Sequence, residues 1–239
     1  QGNGEGMKES LEKTEVGLRN QWLDCLRAIA VLNVCSAHFF YLPPVKHFLP
    51  QAYYYYKGDL GVWIFYVLSG YLIGGLLAAE KKKTGRVHLG RFYARRITRL
   101  YPSYFFFLAI LWLVGAEAIQ RAQVAWWLFL VPWLDMQGVG IGYLPYHLRT
   151  LHIEEKFYLA WGWMAKILQP KILVVAAVGL LLYGPVARLC VYFPGGPATL
   201  MFDSAADCFA VGILLAYAKH SGWIQDEWAN RFLAKSYCR

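Results

Sequence analysis

Apolar runs close to twenty residues recur along this chain, and that repetition limits its fold more than any other feature. About twenty apolar residues in an α-helix span the hydrocarbon core of a bilayer, where every backbone polar group must be satisfied internally. Clear runs fall at 22–42, 60–79, 101–119, 171–193 and 199–218. A shorter run at 123–142 is broken by Pro132 and passes into glycines, while 147–168 mixes apolar positions with His147, Arg149, His152, Glu154, Glu155 and Lys156. The expectation is an all-α, polytopic integral membrane helix bundle with six or seven spans. Residues 1–21 read as a polar N-terminal tail, with "QGNGEG" ahead of Met7 set aside as disordered, and 219–239 as a polar amphipathic C-terminal tail. The chain is only 16% charged, against about a quarter in soluble domains.

The net charge of +9 raises the possibility of a nucleic-acid partner, but its distribution argues for no nucleic acid. Eight of the 24 lysines and arginines lie in 81–99, without an acid among them. A single basic block between two apolar runs is the pattern of a cytoplasmic loop under the positive-inside rule. The N-terminus and the 81–99 loop are therefore expected on the cytoplasmic side, with the first two spans forming a hairpin. No cleavage site follows the first run, which reads as a span rather than a removed leader. The five cysteines (Cys25, Cys35, Cys190, Cys208, Cys238) have neither the density nor the spacing of a disulfide framework or zinc site, and read as structural.

Ionisable residues in the apolar segments carry the functional signal. "LRAIAVLNVCSAH", 26–38, places Arg27 and His38 eleven residues apart with no charge between them. On an α-helix that spacing is just over three turns, roughly 16 Å of rise, and returns to within about 20° of the same face. Arg27 near a helix end can snorkel to the headgroups or pair with Asp24. His38 can hydrogen-bond a neighbouring carbonyl, but an ionisable group at membrane depth is by default a functional candidate. Glu154 and Glu155 repeat the argument, because an unpaired carboxylate in lipid is expensive. His152 and Lys156 are local partners that could satisfy them. Arg91, Arg95, Arg96 and Arg99 recur every three or four residues and on a helix form a cationic face, with Pro102 opening the apolar run beyond. Such a face suits phosphates; positive-inside charge and contact with anionic headgroups are the simpler explanations.

These segments resemble, in order, the motifs of the acyltransferase family 3 membrane proteins. "WLDCLRAIAVLNVCSAH" (22–38) is similar to that family's first helix, with Arg and His separated by ten residues. "GVWIFYVLSGYLIGGLL" (61–77) resembles the second-helix motif around "FFVLSGFLI", although Trp63 stands where an acid is frequent. "RFYARRITRLYPSYF" (91–105) resembles the basic loop entering a proline-opened helix. "TLHIEEKFYLAW" (150–161) resembles "SLAVEEQFYLLW", with Arg149 at a position where Trp is common, and "DCFAVGILLA" (207–216) resembles a later Asp and Gly motif. The resemblance makes 22–218 a transmembrane acyltransferase-3-like domain, in a family whose bundle usually has about ten spans; the expectation is that this chain lacks the last few, as a truncated piece or a divergent short form.

The resemblance implies an acyl-CoA-dependent O-acyltransferase in a bacterial inner membrane. It moves an acyl group, acetyl foremost, from cytoplasmic acetyl-CoA or another acyl-CoA to a hydroxyl of a cell-envelope carbohydrate or similar acceptor. Carried over position by position, His38 is the general base, Arg27 its companion and Glu154 the acidic member. Arg91, Arg95, Arg96 and Arg99 contact CoA phosphates. Ser69 and Gly70 are close-packing positions of the second-helix motif, with Ser69 as nucleophile the lesser alternative, and Pro102, Tyr158, Asp207 and Gly212 belong to the remaining motifs. No metal is implied. A neutral imidazole can take the proton of a hydroxyl as it attacks a thioester, and a cation or dipole can stabilise the oxyanion. The alternatives are a transporter or channel for an acyl carrier or anion, using the same charges as a polar path, and a non-catalytic truncated relative. No internal repeat of the kind frequent in transporters is visible.

Overall fold

The computed structural model describes residues 2–40, 43–48, 59–115, 146–192 and 202–221. Every regular element among them is helical: α1 Gly2–Phe40, α2 Pro43–Phe48, α3 Asp59–Thr84, α4 Leu89–Leu113, α5 Tyr146–Ile167, α6 Pro170–Tyr192 and α7 Phe202–His220. Among the described residues three stretches are long and apolar enough to cross a membrane, Gln21–Phe40, Asp59–Thr84 and Pro170–Leu189. The all-α membrane bundle is thus what the chain forms. Helices α4, α5 and α7 stand where three more spans were expected, and the run at 123–142 lies outside the described residues.

Two boundaries differ from expectation. Helix α1 begins at Gly2 and continues through residue 21 without a break, so the segment set aside as a disordered tail is helical and continuous with the first span. The second difference concerns Pro102, expected to open a span. It lies inside α4, which starts at Leu89 and carries the basic segment and the apolar run as one helix. Proline lacks only the amide that would reach the carbonyl four residues back, and a membrane helix tolerates that local loss. Pro185 likewise lies inside α6, while Pro43 and Pro170 stand at helix starts, where the first-turn amides have no helical partner to lose.

Helix ends follow local electrostatics. Asp59 lies in the first turn of α3 and Lys81, Lys82 and Lys83 in its last, each complementing the helix dipole. Gly85, at φ +73°, stops α3 in the left-handed conformation, and its amide donates to the Lys81 carbonyl at 2.9 Å.

The chain divides into two compact units, 1–69 and 70–239, with the division inside α3. In the first, Gly61 brings α3 against α1. A Cβ there would lie 2.5 Å from the Ala30 carbonyl oxygen and 2.8 Å from Val34. The Gly61 amide, in the first turn of α3, donates to Asn33 Oδ1 at 2.9 Å, so a polar residue inside the first span satisfies an orphan amide of the next helix.

The second unit is built around α7, where Ala206, Phe209, Ala210 and Ile213 are completely buried. Gly70 and Gly74 of α3 face it. A Cβ on Gly70 would collide with the Phe209 carbonyl oxygen, and one on Gly74 would lie 3.2 Å from Ile213 Cα. This small-xxx-small spacing lets helix backbones approach without the side-chain interdigitation of a soluble core. From α5, Phe157 stacks on Phe209 with centroids 4.1 Å apart. Large apolar side chains face outward, among them Phe106 and Val175, each 70% exposed. That outward apolar surface is what lipid requires.

Candidate functional site

The two units hold different candidate residues. In the first, α1 is continuous from Arg27 to His38, so helical geometry sets both on one face. The Arg27 guanidinium meets Asp24 Oδ1 at 2.5 Å, an i,i+3 pair, so the nearby partner weighed from sequence is the one it takes. His38 lies in the last turn of α1 with its ring exposed. Ser69, also in this unit, is buried on α3.

In the second unit α4 and α5 bring together residues from two of the motifs. Their approach is fixed where Tyr93 donates its hydroxyl to the Leu159 carbonyl at 3.1 Å. Beside it lies Gly162, where a Cβ would sit 2.7 Å from the same hydroxyl. Burial, with the Glu155 charge added, raises the Tyr93 phenol above its ordinary range.

One turn along each helix, the Arg96 guanidinium lies 3.8 Å above the centroid of the Tyr158 ring and 5.3 Å from that of Phe92. The Tyr158 hydroxyl donates to Glu154 Oε1, an i,i+4 contact along α5. Arg96 acts electrostatically on both Glu154 and Glu155, and Arg99 on Glu154. Glu155 Oε1 is buried with no hydrogen-bond partner among the described residues. The cluster is therefore two carboxylates, a phenol and a guanidinium, packed against Phe92. A cation stacked on aromatic faces and close to carboxylates holds negative charge away from water at reduced cost.

The four arginines do not share one surface. At 100° per residue Arg91, Arg95 and Arg99 fall within about 80° of one another, while Arg96 stands about 60° beyond Arg99. The first three are exposed and Arg96 is half-buried. The cationic face expected from the spacing is thus a three-arginine arc, with Arg96 turned onto α5.

Several contacts carry weight that the sequence reading did not assign. His152, weighed as a partner for the glutamates, is completely buried and pairs through Nε2 with the Tyr104 hydroxyl of α4 at 2.9 Å. Lys81 donates to the carbonyls of Ala165 and Leu168 at 2.7 and 2.5 Å, closing the C-terminal end of α5. Asp207 is gripped by both arms of Arg188, at 2.9 and 2.5 Å. Gly184 makes room for that grip, since a Cβ there would lie 2.9 Å from the Asp207 side chain. Arg188 was detectable by the criterion that picked out His38, an ionisable residue in an apolar run. Gly212, five residues after Asp207, is buried on α7.

Residues 20–234 match the family model described as an acyltransferase domain. Among similar curated proteins is the peptidoglycan O-acetyltransferase OatA of Listeria monocytogenes, 30% identical over 214 residues, covering 78% of this chain and 32% of that protein. The O-acetyltransferase OatA of Staphylococcus aureus is 32% identical over 151 residues, 57% of this chain and 23% of its own length. A putative O-acetyltransferase of the same species is 35% identical over 150 residues, with the same coverage. The chain therefore spans about a third or less of the length of these relatives. No solved structure matches it significantly.

Proposed function

The chain belongs to the acyltransferase family whose model covers residues 20–234, and from that premise we propose that it transfers an acyl group, acetyl foremost, from acyl-CoA to a hydroxyl of a cell-envelope carbohydrate. The relatives support acetyl as the group and peptidoglycan as one acceptor, since one is named a peptidoglycan O-acetyltransferase. The chain is a multi-pass membrane protein, and we place its N-terminus and the 81–99 segment on the cytoplasmic side of a bacterial inner membrane, where the basic block belongs.

The observation that best supports an acyl-CoA donor is the exposed arc on α4. Arg95 and Arg99 present planar guanidinium groups to one side at the foot of a helix that runs on into apolar sequence. They suit the phosphates of CoA, which are anionic and matched by bidentate donors. Arg96 braces Glu154 through Tyr158 rather than serving as a phosphate contact. In the reaction His38 accepts the acceptor's hydroxyl proton as the oxygen attacks the thioester carbonyl. The tetrahedral intermediate collapses, the carbon–sulfur bond breaks, and the proton passes to the departing CoA thiolate. Glu154 is the acidic member.

The test is to incubate the purified protein with acetyl-labelled acetyl-CoA and peptidoglycan fragments. Label on the glycan, matched by free CoA, is the expected result. Release of CoA without labelled glycan would indicate water or another acceptor, and tight CoA binding without turnover would overturn the enzyme reading in favour of a binding role.

A further inference from the structure

A cleft of about 580 Å³ opens where α3 ends and α4 begins, lined by Gly85, Arg86, Val87, His88, Leu89, Gly90, Arg91 and Lys166. Three of its lining side chains are full cations and none is acidic. Arg86, Arg91 and Lys166 are all exposed. The Glu80 carboxylate faces the loop, its Oε1 accepting the His88 amide at 3.4 Å while its Oε2 is buried without a hydrogen-bond partner among the described residues. The first turn of α4 has no side-chain cap, which leaves the partial positive charge of a helix start on the same cleft. Space is available there, since a Cβ at Gly90 would meet nothing within 4 Å.

The position of the cleft selects among anions. One apolar stretch long enough to span, Asp59–Thr84, ends next to Gly85, and another, Pro170–Leu189, starts four residues after Lys166. The cleft therefore lies at the depth of the lipid headgroups. Beside it Trp163 and Ile167 are 50% and 70% exposed, and Lys166 Nζ lies 5.1 Å from the Trp163 ring centroid. An exposed Trp with a neighbouring lysine is the side-chain pairing of a membrane interface.

We propose that this cleft holds the phosphodiester of an anionic lipid headgroup, with Arg86, Arg91 and Lys166 around the phosphate and Trp163 at the acyl–headgroup boundary. The inference requires only that the chain sits in a membrane, and it assigns Arg91 to this cleft, leaving Arg95 and Arg99 of the arc to the donor. A basic residue near an anionic surface contributes about a factor of five in affinity, so removing three lowers retention roughly a hundredfold.

The purified full chain in detergent, titrated with phosphatidylglycerol or phosphatidylcholine and read by native mass spectrometry, tests this. Wild type is expected to retain phosphatidylglycerol and not phosphatidylcholine. The triple variant Arg86→Ser, Arg91→Ser, Lys166→Ser is expected to lose it. Equal retention by wild type and triple variant overturns the proposal, and so does equal retention of phosphatidylglycerol and phosphatidylcholine by wild type. Displacement of the lipid by equimolar CoA or by inorganic phosphate likewise overturns it, assigning the cleft to the donor or to free phosphate.

Discussion

Arg95 and Arg96 are adjacent in sequence, yet one is exposed on the cationic arc and the other lies over the Tyr158 ring. A rotation of about 100° between neighbours separates the two environments, and the roles proposed for them follow that separation. Arg96→Ala removes the cation from two carboxylates and an aromatic face, and is expected to cost about 2 kcal/mol, the size of a desolvated cation–π contact. Its signature is a lowered Tm in a detergent-solubilised melt. Arg95→Ala is expected to leave Tm unchanged and raise KM for acetyl-CoA. The reverse pattern would exchange the two assignments. The residue types were legible in the sequence, because ionisable groups stand out in apolar runs. Which arginine turns inward was not, since that depends on α5, a helix fifty residues away. His152 makes the same point: its sequence neighbours are glutamates and a lysine, while its structural partner, Tyr104, belongs to another helix.

At the scale of elements, apolar run length located most helices, and charge placed their ends. What it missed was continuity. A polar stretch before residue 22 and a proline at 102 both look like boundaries, yet α1 and α4 pass through them, because one missing amide or a polar face does not end a helix. Helix contacts were partly visible in the glycines. The spacing of Gly70 and Gly74 marks a close approach, but the facing backbone at Phe209 could not be named from sequence. Gly70→Leu drives a side chain into that carbonyl and is expected to destabilise the fold by about 1–3 kcal/mol, as overpacking does. Gly90→Leu, pointing into open space, serves as the control that leaves Tm unchanged. Lys81→Met strips two helix-end carbonyls of their donor, and a loss of about 1–2 kcal/mol is expected, read as faster amide exchange at the C-terminal end of α5. Unchanged exchange there would show that Lys81 does not hold that helix end.

For the whole molecule, the hydrophobic surface and basic block define a multi-pass membrane protein, and the family match covers nearly all of the chain. The chain is expected to stay with membranes through carbonate extraction. Because an arginine arc attracts a polyanionic donor through screened charge, KM for acetyl-CoA is expected to rise several-fold between about 0.05 and 0.5 M salt, with kcat little changed. A salt-independent KM would remove the arc from donor binding. The most direct measurement is transfer of labelled acetyl from acetyl-CoA to peptidoglycan fragments by wild type and by His38→Ala, at matched, monodisperse protein. Loss of a general base lowers transfer by roughly a hundredfold to ten-thousandfold, and that is the predicted result. Undiminished transfer by a folded His38→Ala protein would contradict the account.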